Sequence, residues 1–272
     1  MIVDKIFCLS LEKDLSRRHN FIQNFSKLGM PIEFHFGIDG NQMSVEQPKW
    51  LANKIPHLKY NKDIIKSIEV LNVSLSNPEK ACALGHIEIW NKIKDLNKDY
   101  YYLVCEDDSV ISNMQIAKET LENLKNEKVP NGIIYFGYTT SKPEKSMRII
   151  LKKYAFKILK TCCFKGSKCR VLFNELTIDQ PTKIRGKHLI MRSGQHWGAF
   201  AYAITPDIAN QLIMLNKDLI ITSDGTFRYV RLAEIFPVYV LKNGLIRVDK
   251  TIKSNIRSEE NQNYCFANFD FS

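Results

Sequence analysis

A chain of 272 residues, 44% hydrophobic and 11% aromatic, can bury a sizeable core and is too apolar to be disordered. No apolar run approaches the ~20 residues that cross a bilayer, and the N-terminus MIVDKIFCLSL lacks the basic start and small-residue cleavage site of a signal peptide, so a cytoplasmic protein is expected. The net charge of +10 is concentrated: from Lys142 to Arg192 fourteen Lys or Arg stand against three acids, a segment of +11 that leaves the rest at about −1.

In chain order, Ile2 to Leu11 reads as a first strand, and Arg17 to Leu28 as an amphipathic helix with Phe21, Ile22, Phe25 and Leu28 on one side and Gly29 as its stop. Ile32 to Ile38 is a second strand closed by the turn pair Asp39 and Gly40. Residues 41–78 carry Pro48, Pro56 and Pro78 and little periodicity, which predicts a long, partly helical excursion. Leu84, Ile87, Trp90, Ile93 and Leu96 then recur at helical spacing, predicting a helix from Ala81 to Leu96 with one buried face.

The next strand is YYYLVCEDDSVI, from Tyr100 to Ile111. Asn113 follows as a cap for a helix to about Lys125 with Ala117, Leu121 and Leu124 on one face, and GIIYFGY, from Gly132, is a further strand. Beyond the basic segment, GAFAYAIT reads as a strand from Gly198 to Thr205, and Thr205-Pro206-Asp207 as a helix start. A last strand spans Ile235 to Leu241. Strands alternating with helices predict an α/β domain with a Rossmann-type, mostly parallel sheet flanked by helices. We place this single domain at 1–245, with a basic insertion at 142–192 and a polar tail at 246–272.

Seven cysteines at irregular spacing describe no disulfide framework in a chain of this size. Cys8 and Cys105 sit in apolar strands and read as small core residues. Cys162, Cys163 and Cys169 lack a second pair or a histidine at zinc-finger spacing.

The chemistry collects at the end of the third strand. Open α/β sheets bind ligands beyond the carboxyl ends of their strands, which is where Glu106, Asp107 and Asp108 emerge. Three adjacent like charges repel, and a divalent cation reverses that cost. Mg²⁺ or Mn²⁺ prefers carboxylate oxygens and commonly binds together with substrate phosphates, so a nucleotide diphosphate is the natural ligand. The bland alternative is that these acids solvate a strand end and cap the next helix.

Several blocks, in order, carry a resemblance. They are IFCLSLEKDLSRR (Ile6 to Arg18), FHFGIDG (Phe34 to Gly40), ACALGHIEIWNKI (Ala81 to Ile93, keeping Cys82, His86 and Trp90), YLVCEDDSVI, and GAFAYAITPDIANQLI followed by Ser223-Asp224-Gly225. Together they resemble glycosyltransferase family 25, which includes lipopolysaccharide galactosyltransferases and collagen galactosyltransferase domains. Gly85 stands where that family usually has serine, and 142–187 matches no block of it.

The resemblance implies a GT-A-like fold and a metal-dependent, inverting transfer of a sugar from a nucleotide diphosphate, with UDP-galactose the expected donor. Asp108 and Asp107 are then the expected ligands of Mn²⁺ or Mg²⁺, and Glu106, Asp107, Arg17, Arg18, Asp39, Gly40 and His86 the expected substrate contacts. Asp224 is the candidate base for the acceptor hydroxyl, with contact to donor-sugar hydroxyls or the metal as its alternative role. Arg17 and Arg18 read equally as helix-surface arginines, His86 as a partly buried, satisfied histidine, Asp39 and Gly40 as a plain turn, and Trp90 as core rather than a sugar platform.

A glycolipid such as lipopolysaccharide is the expected acceptor, the +11 segment holding the enzyme at the anionic inner membrane face. A hydroxylysine-bearing protein acceptor is an alternative. The basic segment, with Tyr154, Phe156 and Phe164, would also suit single-stranded nucleic acid, but no recognised nucleic-acid motif accompanies it and no nucleic-acid partner is expected. An inactive, transferase-like binding module is the remaining reading.

Overall fold

The computed structural model describes residues 1–43, 75–127, 129, 131–140, 190–192, 196–216, 222–232, 235–241, 244–249 and 251–252. Most of the expected excursion at 41–78, the basic segment up to 189, Cys162, Cys163 and Cys169, and the tail beyond 252 lie outside these residues.

The chain runs β1 (Val3–Leu11), α1 (Leu15–Phe25), β2 (Ile32–Gly37), α2 (Asn77–Ile93), β3 (Tyr101–Glu106), β4 (Ser109–Ile111), α3 (Met114–Lys125), β5 (Ile133–Tyr135), β6 (Thr139–Thr140), β7 (Ile190–Arg192), β8 (His196–Trp197), β9 (Ala201–Ile204), α4 (Pro206–Asn216), α5 (Ser223–Leu232), β10 (Val238–Leu241) and β11 (Ile246–Val248). Seven strands form one sheet in the order β2-β1-β3-β9-β5-β10-β7. β2, β1 and β3 are mutually parallel, as are β5 and β10. The departures are β9, antiparallel to both β3 and β5, and β7, antiparallel to β10.

Period-two alternation explains why these strands are apolar throughout rather than amphipathic. Phe7, Leu9, Tyr102, Val104, Ile133, Tyr135, Tyr202 and Ile204 face one way and pack with Ile89, Trp90 and Ile93 of α2, Ile208 and Leu212 of α4, and Phe227 and Val230 of α5. Ile6, Cys8, Leu103, Cys105, Ile134, Ala201 and Ala203 face the other way, towards Phe21 and Phe25 of α1 and Ala117 and Leu124 of α3. Both faces are covered, as a parallel sheet requires. Cys8 and Cys105 are buried core residues with free thiols.

Local signals set the helix ends. Asn113 caps α3 by accepting from the Ile116 backbone N–H at 3.1 Å, and Thr205 stands before α4, whose first residue is Pro206. A 3₁₀ turn, Ser26–Leu28, extends α1 to Gly29, which stops the run at φ +75°. α2 begins four residues before the expected Ala81, because Ser76 and Glu79 form a capping box with Pro78 in the first turn. Its buried face is also rotated from the expected one: Ile89 and His86 are fully buried, while Leu84 and Ile87 are partly exposed.

The polar tail expected from residue 246 begins as a strand. β11 pairs antiparallel with β4, and the Asp249 backbone N–H donates to the Asp108 carbonyl at 2.8 Å. That pairing anchors the turn carrying the acids. Among the described residues no helix is long and apolar enough to cross a membrane.

Candidate functional site

The run after Cys105 is held on both sides by backbone. The Glu106 N–H donates to the Phe200 carbonyl at 2.9 Å, the Asp107 N–H to the Leu9 carbonyl at 3.0 Å, and Ser109 Oγ to the Phe200 carbonyl at 2.9 Å. Successive side chains then leave on opposite sides of the sheet edge. Glu106 goes to the α2 side and Asp107 to the α1 side, above a cleft at the carboxyl ends of β1, β2 and β3. Leu9, Ser10, Arg17, Ile38, Asp39, Gly40, Ala81, Cys82, Glu106, Asp107 and Asp108 line it.

Asp107 is buried and committed to the protein. Ser10 Oγ donates to its Oδ2 at 2.7 Å, and Arg17 donates to its Oδ1 at 3.1 Å. Burial raises its pKa more than these two donors lower it. Arg17 is thereby positioned at the cleft wall.

Asp108 has less help. Its Oδ1 is buried without a hydrogen-bond partner among the described residues. Burial, followed by the charges of Glu106 and Asp107, pushes its carboxyl up to about 7. A buried, proton-hungry oxygen beside two further carboxylates is the donor chemistry that a hard divalent cation satisfies.

Arg18 differs from its neighbour. It is buried, donates to the Leu11 and Glu12 carbonyls at the end of β1 and lies over the Phe36 ring. It is not among the residues lining the cleft, so its visible role is to hold the β1–α1 junction. Asp39 lines the cleft, accepts from the Asn41 N–H at 3.0 Å and pairs with Lys13, which holds its carboxyl below the usual range. Gly40 is buried where a Cβ would lie 2.4 Å from the Pro78 Cα, so the turn after β2 closes directly on the start of α2.

On the other side of Glu106 lies a buried polar chain. Trp90 Nε1 donates to the Tyr202 hydroxyl at 2.7 Å, that hydroxyl is 2.9 Å from His86 Nδ1, and His86 Nε2 is 3.5 Å from Glu106 Oε1. His86 is therefore deeper than a partly buried histidine, its ring tolerated in the core because Tyr202 meets Nδ1. Trp90 is core, as expected. Cys82, one turn before His86, completes a group with His86 and Glu106 whose ligand atoms all lie within 4.8 Å of one another.

Asp224 sits in the first turn of α5, accepting from Thr222 Oγ1 at 2.5 Å. The Cys82 thiol is raised by burial first and then by the charges of Glu106, Asp224 and Asp108; Asp224 does not line the cleft. The geometry thus gathers Arg17, Asp39, Gly40, Glu106, Asp107 and Asp108 around one cleft, sets His86 behind Glu106, and leaves Arg18 and Asp224 outside the lining.

A family model described as "Glycosyltransferase family 25 (LPS biosynthesis protein)" matches residues 3–227. The chain belongs to glycosyltransferase family 25. An Aedes aegypti protein described as "Glycosyltransferase 25 family member" is 31% identical over 111 residues, 40% of this chain and 16% of that protein. The chain thus aligns with less than a fifth of that relative's length. The family match spans β1 through the first half of α5, and so includes every cleft residue named above.

The sequence reading missed Ser10 and Tyr202 and assigned Cys82 no role. Ser10 gives no signal beyond sitting in an apolar strand, and Tyr202 reads as core. Cys82 and His86 were legible as an i, i+4 pair on one helix face.

Proposed function

We propose that the protein is a nucleotide-sugar-dependent glycosyltransferase whose donor site is the cleft at the ends of β1, β2 and β3. Asp108 Oδ1, buried beside Glu106 and without a hydrogen-bond partner among the described residues, carries this reading, because oxygen donors of this kind suit a cation shared with a diphosphate. Asp108 would hold Mn²⁺ or Mg²⁺, which when bound neutralises charge on the departing diphosphate. Asp107 serves instead to hold Arg17, whose fixed guanidinium suits a phosphate oxygen. The Asp39 turn and the Ile38 side chain offer the nucleoside a polar and an apolar wall at the end of β2.

For an inverting displacement a carboxylate must take the proton of the acceptor hydroxyl on the face opposite the leaving group. Asp224 fills this role in our reading; its carboxylate is oriented by Thr222 at the start of α5. UDP-galactose is the donor we favour, and a glycan of the lipopolysaccharide type the acceptor, the latter supported by the description of the family as an LPS biosynthesis protein. The +11 segment suits a phosphorylated glycolipid or the anionic membrane surface that carries it.

The test is UDP release from UDP-galactose and UDP-glucose, with a lipopolysaccharide-core acceptor and Mn²⁺, by wild type, Asp224→Asn and Asp108→Ala. The reading predicts turnover by wild type, a 10²–10⁴-fold loss of kcat in Asp224→Asn with donor affinity kept, and lost donor affinity in Asp108→Ala. Full turnover in Asp224→Asn would remove that residue's role. Absence of UDP release from either donor would remove both sugars.

A further inference from the structure

We propose that Cys82, His86 and Glu106 form a second, chemically distinct cation site, one for a thiophilic divalent ion such as Zn²⁺. Cys82 and His86 are one turn apart on the same face of α2, and Glu106 approaches from the end of β3. Their sulfur, nitrogen and oxygen atoms lie within 4.8 Å of one another. Thiolate, imidazole and carboxylate together select Zn²⁺ or Co²⁺ over Mg²⁺.

The independent observation is His86 itself. The residue is fully buried, and its Nε2 has no hydrogen-bond partner among the described residues. Nε2 points at Glu106 Oε1 from 3.5 Å, long for a hydrogen bond but close to the ~3.4 Å edge of a tetrahedron with ligands ~2.1 Å from the metal. Nδ1, at the other side of the ring, is 2.9 Å from the Tyr202 hydroxyl, which also accepts from Trp90. A ligand histidine is held in this way by donating its second N–H to an oriented oxygen, leaving Nε2 as the free lone pair.

Binding is an acid–base exchange without redox change. The Cys82 S–H proton leaves to solvent as the sulfur–metal bond forms, and Glu106 binds as carboxylate. Because Cys82 and Glu106 line the cleft, the fourth position of such a site would open towards it, as three-ligand zinc sites keep one place for water or substrate. This inference needs no nucleotide, so its failure and that of the donor-site reading are separable.

The test uses Co²⁺ alone, titrated into the full chain after chelator treatment. The expected result is one equivalent bound with a thiolate-to-cobalt charge-transfer band, displaced by Zn²⁺. Cys82→Ser should lose the band, His86→Ala should weaken binding at least tenfold, and Tyr202→Phe should weaken it roughly 10- to 100-fold with the band kept. Asp108→Asn should keep the band, as should a Cys162→Ser, Cys163→Ser, Cys169→Ser triple variant. Near-ultraviolet circular dichroism checks each fold, and the wild-type spectrum stands even if a variant fails to fold. Cobalt bound without the band, a band surviving in Cys82→Ser, or a band lost in the triple variant would overturn the proposal.

Discussion

Replacing Asp108 with asparagine keeps the shape of the side chain and removes its charge. In the native protein burial and two neighbouring acids raise its carboxyl from the ordinary 3.8 to about 7, so between those values the folded state holds a proton that the unfolded state has lost. Stability without metal therefore falls as pH rises through this window. At ~1.4 kcal/mol per pH unit the native-state cost by pH 8 is at most ~4 kcal/mol, and contact with the open cleft reduces it to ~2–4 kcal/mol. Asp108→Asn escapes this cost. Relative to wild type it should be nearly neutral at pH 4 and more stable at pH 8, by roughly 4–8 °C in Tm for a chain of this length. Thermal unfolding of both proteins from pH 4 to 8 in chelator measures the difference, in which titration of other carboxylates cancels. A Tm difference that does not change with pH would refute the claim that Asp108 is ionised against its surroundings.

Arg17→Ala strips Asp107 of its guanidinium but leaves Ser10, so we expect ~2 kcal/mol of destabilisation at pH 7, shrinking as pH is lowered and Asp107 protonates; denaturant unfolding at pH 7 and 4.5 checks this. Gly85→Ala adds a Cβ 2.5 Å from Leu9 Cδ1; the ~1 kcal/mol gain in helix propensity is outweighed by ~1–3 kcal/mol of overpacking. Combining it with Leu9→Ala should give a double variant more stable than the sum of the singles by ~1 kcal/mol or more, read by a double-mutant cycle. Binding to anionic vesicles, measured by co-sedimentation, should be strong at low ionic strength and lost by ~0.5 M salt if the +11 segment makes the contact.

The sheet was legible because its strands are buried on both faces. IFCLSL, YYLVC and AYAI each read as continuous apolar runs, and helices with capping residues such as Asn113 and Thr205 separate them. The antiparallel insertion of β9 between β3 and β5 was not legible, since AYAI carries no mark of direction. Nor was β11, three residues whose pairing with β4 depends on distant chain. In the site, the position of the three acids followed from their place at a strand end, but their division of labour did not. Alternation sends Asp107 towards Ser10 and Arg17 and Glu106 towards His86, and only assembled neighbours show that Asp108 Oδ1 lacks a partner among the described residues. Arg17 and Arg18 look alike in sequence; the helix turns one to the cleft and the other to the carbonyls ending β1.

The most direct measurement is calorimetric titration of UDP into wild type and Asp108→Ala, each with and without Mn²⁺. The account predicts binding to wild type that strengthens at least tenfold with Mn²⁺, and no metal-dependent gain in Asp108→Ala. UDP binding of equal strength in all four titrations would contradict it, because the acid cluster would then play no part in holding the diphosphate.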